Sequence, residues 1–227
     1  MQALIDFVVH GGFVMWLLVP MAIVTIALIV ERIIAFKQEG DTAPGLLEEV
    51  RNLVRAGRDT DALRACKDRG GPVAASLATV LEERKQPVDF IERRYTEVLN
   101  GAYLRLDRFL PVLQIFTQIA PLAGLFGTII GMIRVFVQFQ NAQSAGGSNG
   151  VLSGVAEALY ATATGIAVAT VSFAAYGYFM SRRDNIIAEA ENASDSLINE
   201  LLGTGRVAPN TLPTDRVTTS PGTPVVR

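Results

Sequence analysis

The 227-residue chain contains one cysteine, Cys66, and one histidine, His10. A single cysteine excludes an intrachain disulfide and a thiolate metal cluster. Cys66 lies between Ala65 and Lys67 in a charged segment and reads as a small buried residue. His10 has no partner nearby in sequence and reads as incidental rather than as a ligand. There is no Ser/His/Asp set, no metal-ligand cluster and no phosphate-binding loop, so the sequence offers no enzyme reading and asks for no metal or cofactor. Charge is also scarce. Only 19% of residues are charged and the formal net charge is -2, which gives no footprint for nucleic acid. Half of the residues are hydrophobic and the mean hydropathy is +0.33, too apolar for an ordinary soluble domain of this size.

Three uncharged runs account for that apolarity. The first, GGFVMWLLVPMAIVTIALIV from Gly11 to Val30, is long enough to cross a bilayer as a helix. No basic segment precedes it and ERIIAFK follows it, so it reads as an uncleaved span rather than a signal peptide. Pro20 is tolerable within such a helix. The second lies between Arg108 and Arg134, with Pro111 expected at the helix start and Pro121 as a possible kink. The third follows Glu157 and ends at SRRD. Between Phe109 and Ser181 the ionisable charges are Arg134 and Glu157 alone. The stretch between the second and third runs is rich in glycine and serine and reads as a short loop.

Lysine and arginine mark the ends of the spans. Arg32 and Lys37 follow the first, Arg105 and Arg108 precede the second, and Arg182 and Arg183 follow the third. The positive-inside rule then puts the N-terminus and the Gly/Ser loop outside, and the central segment and C-terminus inside. Arg134 is the exception. It is expected to snorkel to the outer interface or to pair with an acid across subunits.

Between Glu31 and Arg108 there are 14 basic and 14 acidic residues, a balance that suits a helical aqueous segment. Leu46, Val50, Leu53 and Val54 recur at helical spacing. Gly57 is expected to end that helix, with Asp59 or Thr60 capping the next. Gly70-Gly71-Pro72 signals a turn before another amphipathic helix. The stretch from Asp89 is expected to run on into the second span as one long helix. Beyond the third span, Ile186, Ile187, Ala190, Ala193, Leu197 and Leu201 continue the helical pattern. The tail from Gly203, rich in Pro, Thr and Gly, is expected to be disordered.

The second and third spans carry small residues on one face, which permits close helix packing in a membrane. On the second these are Ala120, Gly124, Gly127, Thr128 and Gly131; on the third, Gly154, Ala158, Ala161, Thr162, Gly165 and Ala169. Thr128 and Thr162 are the hydroxyls on those faces. The bland reading has each threonine bonding back to its own helix. Glu157 weighs against it, because a membrane carboxylate is expensive and usually faces a bundle interior or an aqueous cavity. The alternative for Glu157 is a place at the outer interface beside water. One acid and no histidine is thin for a self-contained pump, so the pattern describes a machine that borrows its proton-binding group from a partner.

The runs APLAGLFGTIIGMI and GVAEALYATATGIAVAT resemble the paired signature of the MotA/TolQ/ExbB proton-channel family. One span, a large central segment and two linked spans match its ExbB/TolQ-like branch; MotA-type flagellar stators have an additional span. The resemblance covers residues 10–200. Three departures stand out: Val171 and Ser153 occupy positions where proline is frequent, and Thr164 stands where an aliphatic residue is common.

The resemblance implies an all-α membrane protein with three transmembrane helices and long cytoplasmic helical extensions, assembled as a homopentamer in the bacterial inner membrane. The expected divisions are a periplasmic N-terminus (1–10), first span (11–36), cytoplasmic helical segment (37–108), second span (109–137), periplasmic loop (138–152), third span (153–181), cytoplasmic helix (182–202) and tail (203–227). The second and third spans are expected to line a pore holding two helices of an ExbD/TolR-like single-span partner, whose membrane aspartate carries protons. A TonB- or TolA-like protein stays open as a further partner. The family's pore threonines fall on Thr128 and Thr162 and its membrane glutamate on Glu157, while Gly124, Gly127, Gly131 and Gly165 serve helix packing. The rival readings are a non-conducting membrane scaffold and an autonomous transporter.

Overall fold

The computed structural model describes residues 13–39, 45–142 and 149–207. The expected N-terminal segment 1–10 with His10, the centre of the 138–152 loop and residues 208–227 of the tail lie outside the described residues. Among the described residues every regular element is an α-helix. In chain order these are α1 (Met15–Glu39), α2 (Leu46–Arg55), α3 (Asp59–Arg69), α4 (Gly71–Glu82), α5 (Val88–Asp107), α6 (Leu110–Ala142) and α7 (Asn149–Gly203). Three stretches, Met15–Glu39, Val88–Gln140 and Gly154–Gly203, are long and apolar enough to cross a membrane.

The chain divides into two compact units. The first contains α1, α6 and the apolar part of α7. Helix α1 turns Met15, Leu18, Met21 and Thr25 inward, one residue every three or four, as a helix with one packed face requires. Met21 packs with Ala120, Val168 and Ala169, and Leu28 and Ile29 pack against Leu110, Leu113 and Phe179. The opposite faces stay apolar and open: Trp16 is 78% exposed, and Ile26, Phe126, Leu159 and Phe173 are also exposed. A contiguous apolar exterior of this kind suits a lipid or protein surround rather than water. Within the packed face the Thr25 and Ser172 hydroxyls are buried together, 3.3 Å apart, each the other's partner.

The expected single helix from residue 89 into the second span is broken. α5 ends at Asp107 and α6 begins at Leu110, with Phe109 between them at φ +69°. Pro111 supplies a reason. In an unbroken helix its missing N–H would leave the Asp107 carbonyl unpaired and its ring would collide with that carbonyl, whereas in a first turn no donor is needed. The left-handed conformation costs a phenylalanine about 1–2 kcal/mol. The surroundings offset that cost. Arg32 of α1, only 2% exposed, donates from Nη1 to the Arg105 and Leu106 carbonyls at 3.2 Å each. Its Nε and Nη2 donate to Glu31 at 2.5 and 2.6 Å. The Arg32 and Arg108 guanidinium carbons stand 5.5 and 4.8 Å from the Phe109 ring centre. Arg183 is nearly buried as well, paired with Asp107 and Asp184 and set 4.4 Å over Tyr103.

The second unit packs α2, α3, α4, the early part of α5 and the end of α7 around one core. Leu46, Val50 and Val54 are buried, as are Leu77, Ile91, Leu197 and Leu201, while Leu53 is partly buried. Gly57 follows α2 as expected, at φ +74°. The N-cap of α3 is Arg58 and not Asp59 or Thr60. Asp59 is instead the first helical residue, and its carboxylate accepts ion pairs from Arg84 and Arg206, each at 3.2 Å. Cys66 is buried in this core, where burial, aided by Glu49, pushes its thiol up to about 11.

Candidate functional site

Helices α6 and α7 meet along a seam of small residues in antiparallel register. The register can be read from where a methyl group would land on each glycine. On Gly165 it would lie 2.5 Å from the Ala120 carbonyl oxygen, and on Gly124 it would lie 3.0 Å from the Thr162 Cα. On Gly127 and Gly131 it would lie 2.5 and 2.6 Å from the Cβ atoms of Ala161 and Ala158, and on Gly154 2.6 Å from Val135 Cγ2. The gaps of 2.5–2.6 Å are shorter than real methyl contacts and that at Gly124 is tighter than most, so the two helices approach along this seam as only glycine allows. The four packing glycines read from the sequence, Gly124, Gly127, Gly131 and Gly165, all lie on this seam.

That approach decides what the threonines do. Thr162 Oγ1 donates across the seam to the Gly124 carbonyl at 3.0 Å, which departs from the expectation that mid-helix threonines bond back to their own helix. The others do bond back: Thr128 to Leu125 at 2.6 Å, Thr164 to Tyr160 at 2.8 Å and Thr170 to Ile166 at 2.8 Å. Every one of these hydroxyls therefore uses its donor on a carbonyl. What each keeps is acceptor capacity on oxygen, which suits a neighbouring group that carries a proton, such as a protonated carboxylic acid or water.

Glu157 forms an ion pair with Arg134 of α6. The pairing is within the chain, in place of the expected snorkelling or intersubunit contact. The Glu157 side chain is 22% exposed and that of Arg134 45%. At about 100° per residue, Thr162 and Glu157 are about 140° apart around α7 and flank the seam on opposite sides. The same rotation on α6 puts Thr128 on the Thr162 flank and Arg134 on the Glu157 flank. The structure thus brings Thr128 and Thr162 to one flank, and Glu157 to the other with Arg134.

Thr164 lies about 20° from Glu157 around the helix, on the ion-pair flank. It lines a cavity of about 260 Å³ with Ala22, Thr25 and Ile26 of α1. It faces the first span, away from the two hydroxyls on the other flank.

Sequence reasoning missed the Arg134–Glu157 contact, yet a signal was present. The two residues are equally far from the midpoint of the Gly/Ser loop, and antiparallel helices joined by that loop must bring them level. The buried Thr25–Ser172 pair and the Arg32 cap carried no local signal.

Comparison with known proteins adds a family match and three relatives. The model of the MotA/TolQ/ExbB proton channel family matches residues 69–192. The chain is 31% identical over 169 residues to the protein named ExbB-like 3 of Synechocystis sp., covering 72% of this chain and 80% of that one. It is 26% identical over 187 residues to the ExbB homolog of Methanothermobacter thermautotrophicus, covering 80% of this chain and 64% of that one. It is 34% identical over 91 residues to the Tol-Pal system protein TolQ of Pseudomonas aeruginosa, covering 40% and 39%.

Proposed function

The chain belongs to the MotA/TolQ/ExbB proton channel family, in its ExbB/TolQ branch, and from that premise we propose that it is the proton-conducting, stator-like subunit of an inner-membrane motor. It assembles as a pentamer. The hydroxyl flank of the α6–α7 seam lines the central pore, and two helices of an ExbD/TolR-like partner occupy that pore. The partner's carboxylic acid carries the proton and the proton motive force drives the motion, which serves outer-membrane transport or envelope maintenance. The N-terminus and the Gly/Ser loop face the periplasm; residues 37–108 and the helix beyond residue 181 face the cytoplasm. The three spans are 11–36, 109–137 and 153–181, each built on one uncharged run.

The observation that carries this reading is the pair Thr128 and Thr162 on one flank, each with its donor engaged on a backbone carbonyl and its oxygen left to accept. A protonated acid on the partner can donate to either oxygen. A pore wall without fixed charge on that flank then lets the acid pass without being trapped by an ion pair. Glu157 sets the electrostatics of the outward end.

Partner-dependent proton flux into vesicles tests the proposal. Thr162→Ala and Glu157→Gln are each expected to lower flux at normal assembly, and wild-type flux in both variants removes these residues from the mechanism. A non-conducting scaffold is the second reading. It is favoured by the same consumption of hydroxyl donors on backbone carbonyls, which a dry interior also demands. The scaffold predicts no flux in any variant and no water beside Thr128 and Thr162.

A further inference from the structure

We propose that Arg134 is a positioning residue of the conduction path, which clamps the outer ends of α6 and α7 through Glu157 and so holds Thr162 at the Gly124 carbonyl. The proposal rests on the reading of the seam as the wall of a pore.

Arg134 and Glu157 are the ionisable charges between Phe109 and Ser181, and they are paired with each other. The contact is set beside the last tight steps of the seam, where Gly131 meets Ala158 and Val135 meets Gly154. Those steps fix the axial register. They are made of small smooth residues, however, and have no directional bond to resist rolling of one helix on the other. The ion pair supplies one on the first flank, and the Thr162–Gly124 hydrogen bond supplies one on the second. Two directional contacts on opposite flanks fix the roll that neither fixes alone. Loss of the pair frees the outer end to roll, and the hydrogen bond on the far flank is the contact most exposed to that motion. Removal of either partner also leaves the other charge uncompensated at the membrane, which adds to the drive to rearrange. Arg134 acts on the path through Glu157 and α7 and has no contact with the hydroxyls.

The test uses the full chain assembled with its single-span partner in vesicles. It compares wild type with Arg134→Gln, Glu157→Gln, the double variant and the charge exchange Arg134→Glu/Glu157→Arg. The expected result is a loss of partner-dependent proton flux of about tenfold in each single variant, with no further loss in the double variant. The exchange recovers at least about half of wild-type flux, because it restores the clamp. Three results overturn the proposal: wild-type flux in Arg134→Gln, losses that multiply in the double variant, or an exchange as inactive as Glu157→Gln although it assembles. The last outcome makes Glu157 an acid required in its own place. If Arg134→Gln does not assemble, the exchange decides alone, by whether it assembles and conducts. A wild-type complex with no partner-dependent flux sinks the channel reading instead. The clamp is then judged by melting temperature, where non-additive losses in the double variant support it and additive losses reject it.

Discussion

Replacing Gly165 with alanine puts a methyl carbon 2.5 Å from the Ala120 carbonyl oxygen, 3.0 Å from the Gly124 Cα and 3.2 Å from the Gly124 nitrogen. All three obstacles are backbone, so no side chain can rotate out of the way. Ordinary contact begins near 3.4 Å, and α6 and α7 have to part by about 0.9 Å at this level to reach it. The Thr162–Gly124 hydrogen bond, one turn away at 3.0 Å, stretches beyond bonding distance with a displacement of that size. Overpacking costs about 1–3 kcal/mol, and the lost bond adds about 1 kcal/mol. Gly177 is the matched control. It lies on the same helix with nothing within 4 Å of its added methyl, so alanine there is neutral or stabilises by up to about 1 kcal/mol through helix propensity. The assay is thermal unfolding of the purified assembly followed by circular dichroism, with proton flux measured on the same preparations. Gly165→Ala is expected to melt lower and conduct less, and Gly177→Ala to match wild type in both. If the two variants melt together, the backbone contact is not as close as the geometry states and the reasoning fails.

Arg32→Ala removes the donors to the Arg105 and Leu106 carbonyls and is expected to destabilise by about 2–4 kcal/mol; Arg32→Lys should recover less than half of that, since an ammonium cannot hold the fork on Glu31 together with both carbonyls. A loss below about 0.5 kcal/mol in chemical denaturation would place the cap among neutral surface contacts. For Cys66, the thiol is raised from 9.0 to about 11 on folding, so the folded state holds this proton longer than the unfolded one does. Its share of stability is whole below about pH 9 and is lost as pH rises through about 11. The melting temperature of wild type should therefore fall more between pH 8.5 and 10.5 than that of Cys66→Ala, and the native thiol should resist maleimide at pH 8 until denaturant is added; parallel curves or rapid native labelling contradict this.

The three spans and the glycine faces were legible because each depends on residues near one another in sequence: an uncharged run sets a span, and three- and four-residue steps set a face. The break at Phe109 was not legible in the same way. Pro111 hinted at it, but the left-handed turn is held by Arg32, which lies 77 positions earlier. The role of Thr162 was half legible. Its face could be read from spacing, whereas its bond to Gly124 depends on the absence of a side chain on another helix. Thr164 needed the placement of α1, which no periodicity in α7 contains. The α3 cap shows the same limit in small: Asp59 has the chemistry of a cap, but Arg84 and Arg206 claim its carboxylate.

The seam also restricts how a lineage carrying this protein can change. Gly127 faces an alanine methyl, with only the Val14 side chain beyond it, so this glycine can gain a carbon if the opposing Ala161 gives one up. Such substitutions should drift as couples, the site that grows answered by the site that shrinks. Gly124 and Gly165 have no such trade available. Each faces main chain, which no mutation can make smaller, and they are the positions from which descent with function has nowhere to go.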